Sequence, residues 1–388
     1  MIRFLTAGES HGPALVGIID GIPAGLRLDV DAIDRRLAER QGGHGRGARM
    51  KIEQDRVEFA AGLRGSVTLG SPLAVLIRNR DFENVRGLMD PLTGEGPAIT
   101  RPRPGHADFA GALKYRHRDL RNVLERASAR ETAMRVALGE IARQYLGVFG
   151  VTVAGFVFQI GEVAAGEIDA FPDIESIAGS PVRCPDARAS AQMVARIDEA
   201  KAQGDTLGGA FEVRAGHMPV GIGSNRQPGE RLDARIAAAM MSIQTVKAVE
   251  IGSGITTGAY VGSRSHDTFT AQAGHVTRST NRAGGIEGGM SNGQDLVVRV
   301  RVKPIATLMK PLASVDLRTG QDAPATIVRS DVCAVPAASI IAEAMLCLTL
   351  AEAFSEKYGG DSMDEAFEHY TASQEGAARL FADGPPDE

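Results

Sequence analysis

The sequence has no tryptophan, only three cysteines and few aromatic residues of any kind. Aromatic residues make up 5% of the 388 positions, which disfavours a surface that binds nucleic acid by stacking bases on aromatic rings. Cys184, Cys333 and Cys347 lie far apart and form no Cys-x-x-Cys pair, so neither a disulfide framework nor a cysteine zinc site is indicated. We expect no metal site, and a reducing cytoplasm is the expected location.

The charge balance and the hydrophobic runs argue against two further classes of protein. The 43 Lys and Arg residues against 48 Asp and Glu residues give a net charge of −5, whereas proteins that coat nucleic acid need an excess of positive charge. The most apolar stretch, residues 335–354, contains Glu343 and Glu352, and two carboxylates are costly in a membrane span. We expect a buried helix there, with neither a nucleic-acid nor a membrane partner.

Hydrophobic periodicity predicts helices and strands in loose alternation. Helices are expected at residues 30–41, 125–146, 232–246 and 336–354, and strands at 14–19, 57–60, 73–77, 151–160, 210–214 and 296–302. This pattern favours an α/β or an α+β fold and leaves the two classes open. No Pro/Ser-rich linker divides the chain, and residues 376–388 have the composition of a flexible C-terminal tail.

Glycine and arginine dominate the long irregular segments between these elements. Glycine occupies 46 positions, well above its usual share of about 7%. Long irregular segments in a compact protein are usually binding loops, lids or disordered regions. Their arginines favour binding, and we expect a glycine- and arginine-built pocket for an anionic ligand.

The first candidate site is the N-terminal segment Gly8-Glu9-Ser10-His11-Gly12. Its letters fit the Gly-x-Ser-x-Gly nucleophile elbow, but a β-type run follows it instead of the helix that an elbow requires. His11 is either a hydrogen-bonded structural residue or a group that glycine-flanked backbone brings close to a ligand.

Arginines form a second candidate site around residues 40–49. Arg40 ends a predicted helix, and Arg46 and Arg49 stand in the glycine-rich segment that follows it. The Gly-x-Gly-x-Gly pattern leaves a helix here, against the order of a dinucleotide-binding unit. The arginines form either a cationic pocket for phosphate and carboxylate or a solvated basic turn.

His106 and Asp331 stand in two further segments with polar side chains. His106 lies on a proline-containing loop with Asp108 two residues on, a pair that suits proton transfer or, alternatively, a turn whose aspartate caps the next helix.

Residues 125–132 are typical of an anion-binding or a capped helix start. Five glycines within residues 284–293 indicate a close ligand contact or a structural hairpin, and Asp331 has the position of a helix N-cap.

Taken together, five motifs in this order resemble those of the chorismate synthases, the last enzymes of the shikimate pathway. The motifs are Gly-Glu-Ser-His-Gly at 8–12, Arg-Pro-Gly-His-Ala-Asp at 103–108, Glu-Arg-x-Ser-Ala-Arg-Glu-Thr at 125–132, Gly-Gly-x-Ser-Asn-Gly at 288–293 and Arg-Ser-Asp-x-Cys-x-Val-Pro at 329–336. The resemblance runs from Gly8 to about Phe354. One departure is Ala127, where family members often have serine.

The resemblance implies a fold and a reaction. The implied fold is an α+β layered β-α-α-β sandwich, a single catalytic domain over residues 1–375, assembled as a homotetramer. The implied reaction converts 5-enolpyruvylshikimate 3-phosphate to chorismate plus phosphate by a 1,4-anti elimination that requires reduced FMN without net redox change. NADPH and an external flavin reductase are the implied sources of reducing equivalents.

The resemblance also implies roles for individual residues. His11 would protonate the departing phosphate, His106 would lie near the flavin N1, and Asp331 would take part in proton removal at the flavin N5. Substrate and the phosphate of NADP would bind at Arg40, Arg46 and Arg49. The implied flavin-contacting residues are Arg126, Ala127, Ser128, Ala129, Gln244, Thr245, Gly288, Lys303, Pro304, Ile305, Ala306, Thr307 and Arg329.

Two alternatives to this activity stay open. An FMN-dependent oxidoreductase with net electron transfer would share the flavin pocket but consume nicotinamide in step with product. A non-catalytic protein that binds anionic ligands would account for the Arg/Gly loops, but not for two histidines and an aspartate beside them.

Overall fold

The computed structural model describes residues 1–47, 53–168, 170–171, 173–272, 275–328 and 330–380. The helices are α1 (Val30–Gln41), α2 (Phe82–Met89), α3 (Asp108–Tyr115), α4 (Arg121–Ala127), α5 (Thr132–Val148), α6 (Ile174–Gly179), α7 (Ala187–Ala202), α8 (Leu232–Met241), α9 (Gly262–Ser265), α10 (Val335–Tyr358) and α11 (Met363–Arg379). The strands are β1 (Arg3–Ala7), β2 (Ala14–Asp20), β3 (Glu58–Ala61), β4 (Leu63–Arg64), β5 (Val67–Thr68), β6 (Leu73–Arg78), β7 (Thr152–Ile160), β8 (Val163–Ala164), β9 (Gly209–Gly216), β10 (Val246–Ile251), β11 (Phe269–Gln272), β12 (His275–Arg278), β13 (Ile286–Glu287), β14 (Met290–Ser291), β15 (Leu296–Val302), β16 (Ala313–Asp316) and β17 (Gln321–Pro324).

Two antiparallel sheets make the fold α+β. The first sheet has the strand order β1-β2-β6-β3 and the second β10-β15-β9-β7-β8, while the other strands form two-stranded ribbons. Every pairing between these strands is antiparallel. An α/β fold would need parallel neighbours joined by crossover helices, so the choice that periodicity leaves open is decided by strand pairing.

Helices α5 and α10 lie between the two sheets. Helix α5 contacts β1 and β2 of the first sheet, α10 contacts β7 and β9 of the second, and the two helices pack along each other. The helices approach closely at Gly139 of α5, where an added Cβ would lie 2.4 Å from the Cβ of Ala344. Helix α10 is long and apolar enough to cross a membrane, but its most apolar window is 94% buried, which confirms the predicted buried helix.

The predicted bounds agree best with the structure where the predicted segment forms a single helix or strand. The bounds predicted for α1 and β15 are those observed. The helix predicted at 125–146 is divided, because Ser128 has an extended backbone (ψ 142°) between α4 and a 3₁₀ turn that leads into α5. The helix predicted at 232–246 ends at Met241, before β10. Helix α11 continues to Arg379, inside the segment predicted as a tail, and residues 381–388 lie outside the described residues.

One buried carboxylate joins the helices of the core. Glu343 of α10 is 2% exposed and accepts hydrogen bonds from Arg36 of α1, from Arg143 of α5 and from Arg183. Glu140 of α5 places a second carboxylate 3.1 Å from Arg143. Burial alone would raise the pKa of Glu343, but the three guanidinium charges outweigh burial and hold that pKa below its ordinary value.

We expect Glu343→Gln to lower the free energy of unfolding by about 3–5 kcal/mol, because the substitution leaves three guanidinium groups without their buried counter-charge. Glu352→Gln is the matched control on the same helix, since Glu352 forms no ion pair with any described side chain. We expect it to change the free energy of unfolding by less than about 1 kcal/mol. Equal losses in the two variants, measured by denaturant unfolding, would contradict the role given to Glu343.

The same contact predicts a dependence of stability on pH. Folding lowers the pKa of Glu343 from 4.5, so its stabilisation is present above the unfolded-state pKa and is lost as pH falls through the folded-state value. Unfolding measured in acid should therefore show a steeper loss of stability in the unmodified chain than in Glu343→Gln.

Candidate active site

One cavity of about 950 Å³ brings most of the predicted site residues together. It lies where α1 ends and α10 begins, beside the segment between α4 and α5 and the ends of β10 and β15. Its volume is within the range of about 300–1,000 Å³ that small-molecule sites occupy. The predicted site residues in its lining are His11, Arg40, Arg46, His106, Ala127, Ser128, Ala129, Gln244, Thr245, Lys303, Ile305, Ala306, Thr307 and Asp331.

Three predicted residues lie outside this lining. Arg126 is exposed and donates to the backbone carbonyls of Gly8 and Thr6 at 3.1 and 3.0 Å. Pro304 is exposed, and Gly288 (φ 59°) lies in the turn between β13 and β14, where the backbone forms a hairpin. Arg49 and Arg329, which were also predicted, lie outside the described residues.

His11 is held by a carboxylate at one end of the cavity. The Oε1 and Oε2 atoms of Glu125 lie 2.9 and 3.0 Å from His11 Nδ1, and Oε2 also accepts from the His11 backbone N–H at 2.7 Å. Asp81 Oδ2 lies 3.9 Å from the other ring nitrogen, Nε2. The tight loop needs Gly8 (φ 108°), because a Cβ there would lie 2.5 Å from the carbonyl oxygen of Ala14. His11 is therefore a fixed ring with one nitrogen bound to carboxylate.

His106 is held by a second carboxylate. Its Nδ1 lies 2.6 Å from Asp108 Oδ1, and Arg103 Nη2 lies 3.0 Å from the same nitrogen. Arg103 also donates to Asp108 Oδ2 at 2.9 Å and to the Thr307 hydroxyl at 2.7 Å. Burial alone would raise the pKa of Asp108, but the hydrogen bonds and charges of His106 and Arg103 hold it well below its ordinary value. Asp108 makes no capping bond to α3, so the predicted histidine–aspartate pair is present.

Several arginines line the cavity, and they differ in how many of their N–H groups have acceptors. Arg46 donates to Asp331 Oδ2 at 2.5 Å, while the Gly47 N–H donates to Oδ1 at 2.6 Å. Asp331 therefore does not cap α10, as its position in the sequence suggested. Arg130 is fully engaged by Asp55 at 2.5 Å and by other buried acceptors.

Arg40 retains an unsatisfied donor. Its Nε and Nη2 bind the Thr132 hydroxyl and the Ala129 carbonyl, whereas buried Nη1 has no hydrogen-bond partner among the described residues. Burial and the neighbouring charge of Arg46 lower the pKa of Arg40 to about 9. A bound anion would satisfy Nη1 and offset both effects, so the residues suit a phosphate or carboxylate ligand.

A buried acceptor and a strained backbone mark another wall of the cavity. The Oε1 atom of Gln244 is buried and has no partner among the described residues. Thr245 adopts a positive φ of 74°, a conformation that costs energy in a non-glycine residue and clusters at functional sites. The Thr245 carbonyl accepts from the Lys303 N–H at 2.9 Å. This wall can therefore receive an N–H group of a polar ligand.

Sequence reasoning did not select several residues that line the cavity. Arg103 stands within the His106 motif, so its position was available. Asp81 has no such signal, because an aspartate before a helix is an ordinary feature of helix starts. Lys247 lines the cavity where the register between β10 and β15 shifts, and a bulge of this kind cannot be read from strand periodicity.

Comparison with known proteins identifies the family. The sequence profile of chorismate synthase matches residues 2–355. This chain belongs to the chorismate synthase family. The chorismate synthase of Symbiobacterium thermophilum is 54% identical over 97% of this chain and 100% of its own length. That of Desulforudis audaxviator is 54% identical over 95% of this chain and 96% of its own.

A solved structure agrees with the sequence relatives. A crystal structure of chorismate synthase superposes with a TM-score of 0.77 at 39% identity, covering 96% of this chain and 97% of the other. The chain is therefore an enzyme that forms chorismate from 5-enolpyruvylshikimate 3-phosphate with release of phosphate.

The unsatisfied Arg40 donor predicts that inorganic phosphate stabilises the protein. We expect phosphate at about ten times its Kd to raise the Tm by about 2 °C or more. Arg40→Gln should remove most of this rise, because it removes the guanidinium whose Nη1 would donate to the phosphate. Each variant is compared with itself, with and without phosphate, so a change in its basal stability cancels. Arg3→Gln, at a side chain that is 78% exposed, is the control, and an unchanged rise in Arg40→Gln would contradict the prediction.

Proposed function

We propose that the chain forms chorismate by a 1,4-anti elimination that uses reduced FMN, with substrate and flavin bound together in the 950 Å³ cavity. The observation that carries the proposal is the meeting in one cavity of two histidine–carboxylate pairs and the unsatisfied guanidinium of Arg40. The elimination needs a bound phosphate, a proton donor for it and a second group that handles protons.

The substrate would bind at the arginine end of the cavity. Its phosphate and two carboxylates require several positive charges, and Arg40 and Arg46 supply guanidinium groups. His11 protonates the phosphate as it leaves. Asp331, held by Arg46 and the Gly47 N–H, takes part in proton removal on the cofactor side. Arg49, outside the described residues, stays a prediction for the same substrate loop.

The flavin would bind along the wall that contains Gln244 and Thr245. When bound, reduced FMN supplies electron density that offsets the charge developing as phosphate departs. Ala127, Ala129 and Ala306 are small and leave room for a planar ring, and Gln244 Oε1 can accept from a ring N–H. Where relatives often have serine, Ala127 offers only its backbone. The remaining proposed contacts are Arg126, Ser128, Gly288, Lys303, Pro304, Ile305, Thr307 and Arg329.

The layering and assembly belong to the same proposal. We describe the fold as a single-domain β-α-α-β sandwich, supported by the contacts of α5 with the first sheet and of α10 with the second. A homotetramer is supported by exposed apolar side chains on the first sheet, where Leu5 and Ile18 are paired neighbours, 71% and 42% exposed.

The three cysteines are unpaired, which suits a reducing cytoplasm. The proposed electron source for the flavin is NADPH or an external flavin reductase.

Anaerobic turnover tests this function. The chain is mixed with 5-enolpyruvylshikimate 3-phosphate and dithionite-reduced FMN, and chorismate absorbance and released phosphate are followed together. We expect equal amounts of both products with catalytic flavin and no net oxidation. Stoichiometric oxidation of flavin or nicotinamide would favour the oxidoreductase, and flavin binding without phosphate release would leave only a binding protein.

The His106 pair predicts a specific kinetic defect. We expect His106→Ala to lower turnover by about 10²-fold or more, the usual scale for a lost acid or base, while folding and FMN affinity stay close to those of the unmodified chain. His266→Ala serves as the control, because His266 is exposed and outside the cavity lining. Unchanged turnover in His106→Ala would remove His106 from the mechanism.

A further inference from the structure

The carboxylates around the cavity differ in what balances their charge. Asp108, Asp55, Asp331 and Glu131 each lie within 3.0 Å of an arginine nitrogen. The side chain of Glu125 is only 4% exposed, and among the described residues its one ion-pair partner is His11. A buried carboxylate needs a counter-charge or several hydrogen-bond donors. For Glu125 these come from His11.

We infer that Glu125 is a positioning residue that sets the protonated nitrogen and the direction of the His11 ring, an inference that rests on the proposed function. An ionised carboxylate can only accept hydrogen bonds. Because both Glu125 oxygens lie within 3.0 Å of His11 Nδ1, that nitrogen carries a hydrogen. The other ring nitrogen, Nε2, is then the one that exchanges a proton with a ligand in the cavity.

Glu125 fixes the backbone of the same loop as well as the ring. Its Oε2 accepts from the His11 N–H at 2.7 Å, and its own carbonyl accepts from the Ser10 N–H at 3.0 Å. Glu125 thus holds the His11 ring and the main chain of both Ser10 and His11. Asp81 Oδ2, 3.9 Å from Nε2, places a second negative charge beside the ring.

The proton balance of the step follows from this arrangement. When the C–O bond of the substrate breaks, its electron pair leaves with the phosphate oxygen, which takes the proton from His11 Nε2. The ring becomes neutral and keeps its Nδ1–H on Glu125, which stays ionised throughout. A proton from solvent restores Nε2 before the next turnover.

Glu125→Gln tests this role with little change in shape. The amide oxygen can still accept from the His11 backbone N–H, but the amide N–H₂ then donates to Nδ1. A ring that accepts there is a neutral imidazole with its hydrogen on Nε2, a much weaker acid than imidazolium. We expect kcat to fall by about 10²-fold and KM for 5-enolpyruvylshikimate 3-phosphate to change by less than about threefold. Glu125→Asp keeps the charge and should recover part of the kcat that Glu125→Gln loses.

A double-mutant cycle separates action through His11 from a general structural effect. In a His11→Ala background, Glu125→Gln should lower kcat by less than about twofold further. An equal loss in both backgrounds would overturn the inference, because Glu125 would then act independently of His11.

Histidine nitrogen NMR supplies a readout that does not require turnover. With ¹⁵N-histidine labelling, and His11→Ala to assign the signal, we expect the hydrogen of a neutral His11 ring to move from Nδ1 to Nε2 in Glu125→Gln. An unchanged ring would overturn the inference. If this change occurs while the unmodified chain forms no chorismate, the proposed function fails and the positioning contact stands.

Discussion

The cluster of three arginines around buried Glu343 is the contact on which the geometry of the active site depends. It joins α1, α5 and α10, and each of these helices ends or begins at the cavity. Arg40 lies one turn after Arg36 on α1, and Thr132, which receives Arg40, is the first residue of α5. A shift of any one helix would therefore move a guanidinium or its acceptor. The core interaction and the site are parts of one rigid arrangement.

Charge pairing separates residues that support the cavity wall from residues that can still bind a ligand. Arg130 resembles the other site arginines in sequence, but buried acceptors consume its donors, so it supports the wall. Arg40 differs because its Nη1 has no acceptor in the described part of the chain. A buried donor without an acceptor costs free energy, and a bound anion beside Arg40 would remove that cost. The same logic distinguishes Glu125, which pairs with a histidine, from carboxylates that pair with arginine.

The two histidines reach the cavity by different structural means. His106 and Asp108 are two residues apart on one loop, so local geometry is enough to bring them together at 2.6 Å. His11 and Glu125 are 114 positions apart and meet only because the loop between β1 and β2 lies against the C-terminal end of α4. A ring held by its own loop and a ring held by a distant helix can both be fixed in direction. Two fixed rings at separate places in one cavity suit an elimination, because phosphate and a hydrogen leave from different carbon atoms of the substrate.

Local patterns in the sequence predicted the regions of α1, α5, α8 and α10, six strands of the two sheets, the glycine-rich loops and the motifs that resemble one enzyme family. These features depend on neighbours in the chain, as with α1, whose apolar spacing and Asp29 cap are both local. Tertiary structure alone decided between α/β and α+β, because strand partners such as β9 and β15 are far apart in sequence. It also decided which charges are neutralised: nothing near Arg130, Glu125 or Asp331 in the sequence reveals its partner. The reason is physical, since burial and long-range pairing set the energy of a charge.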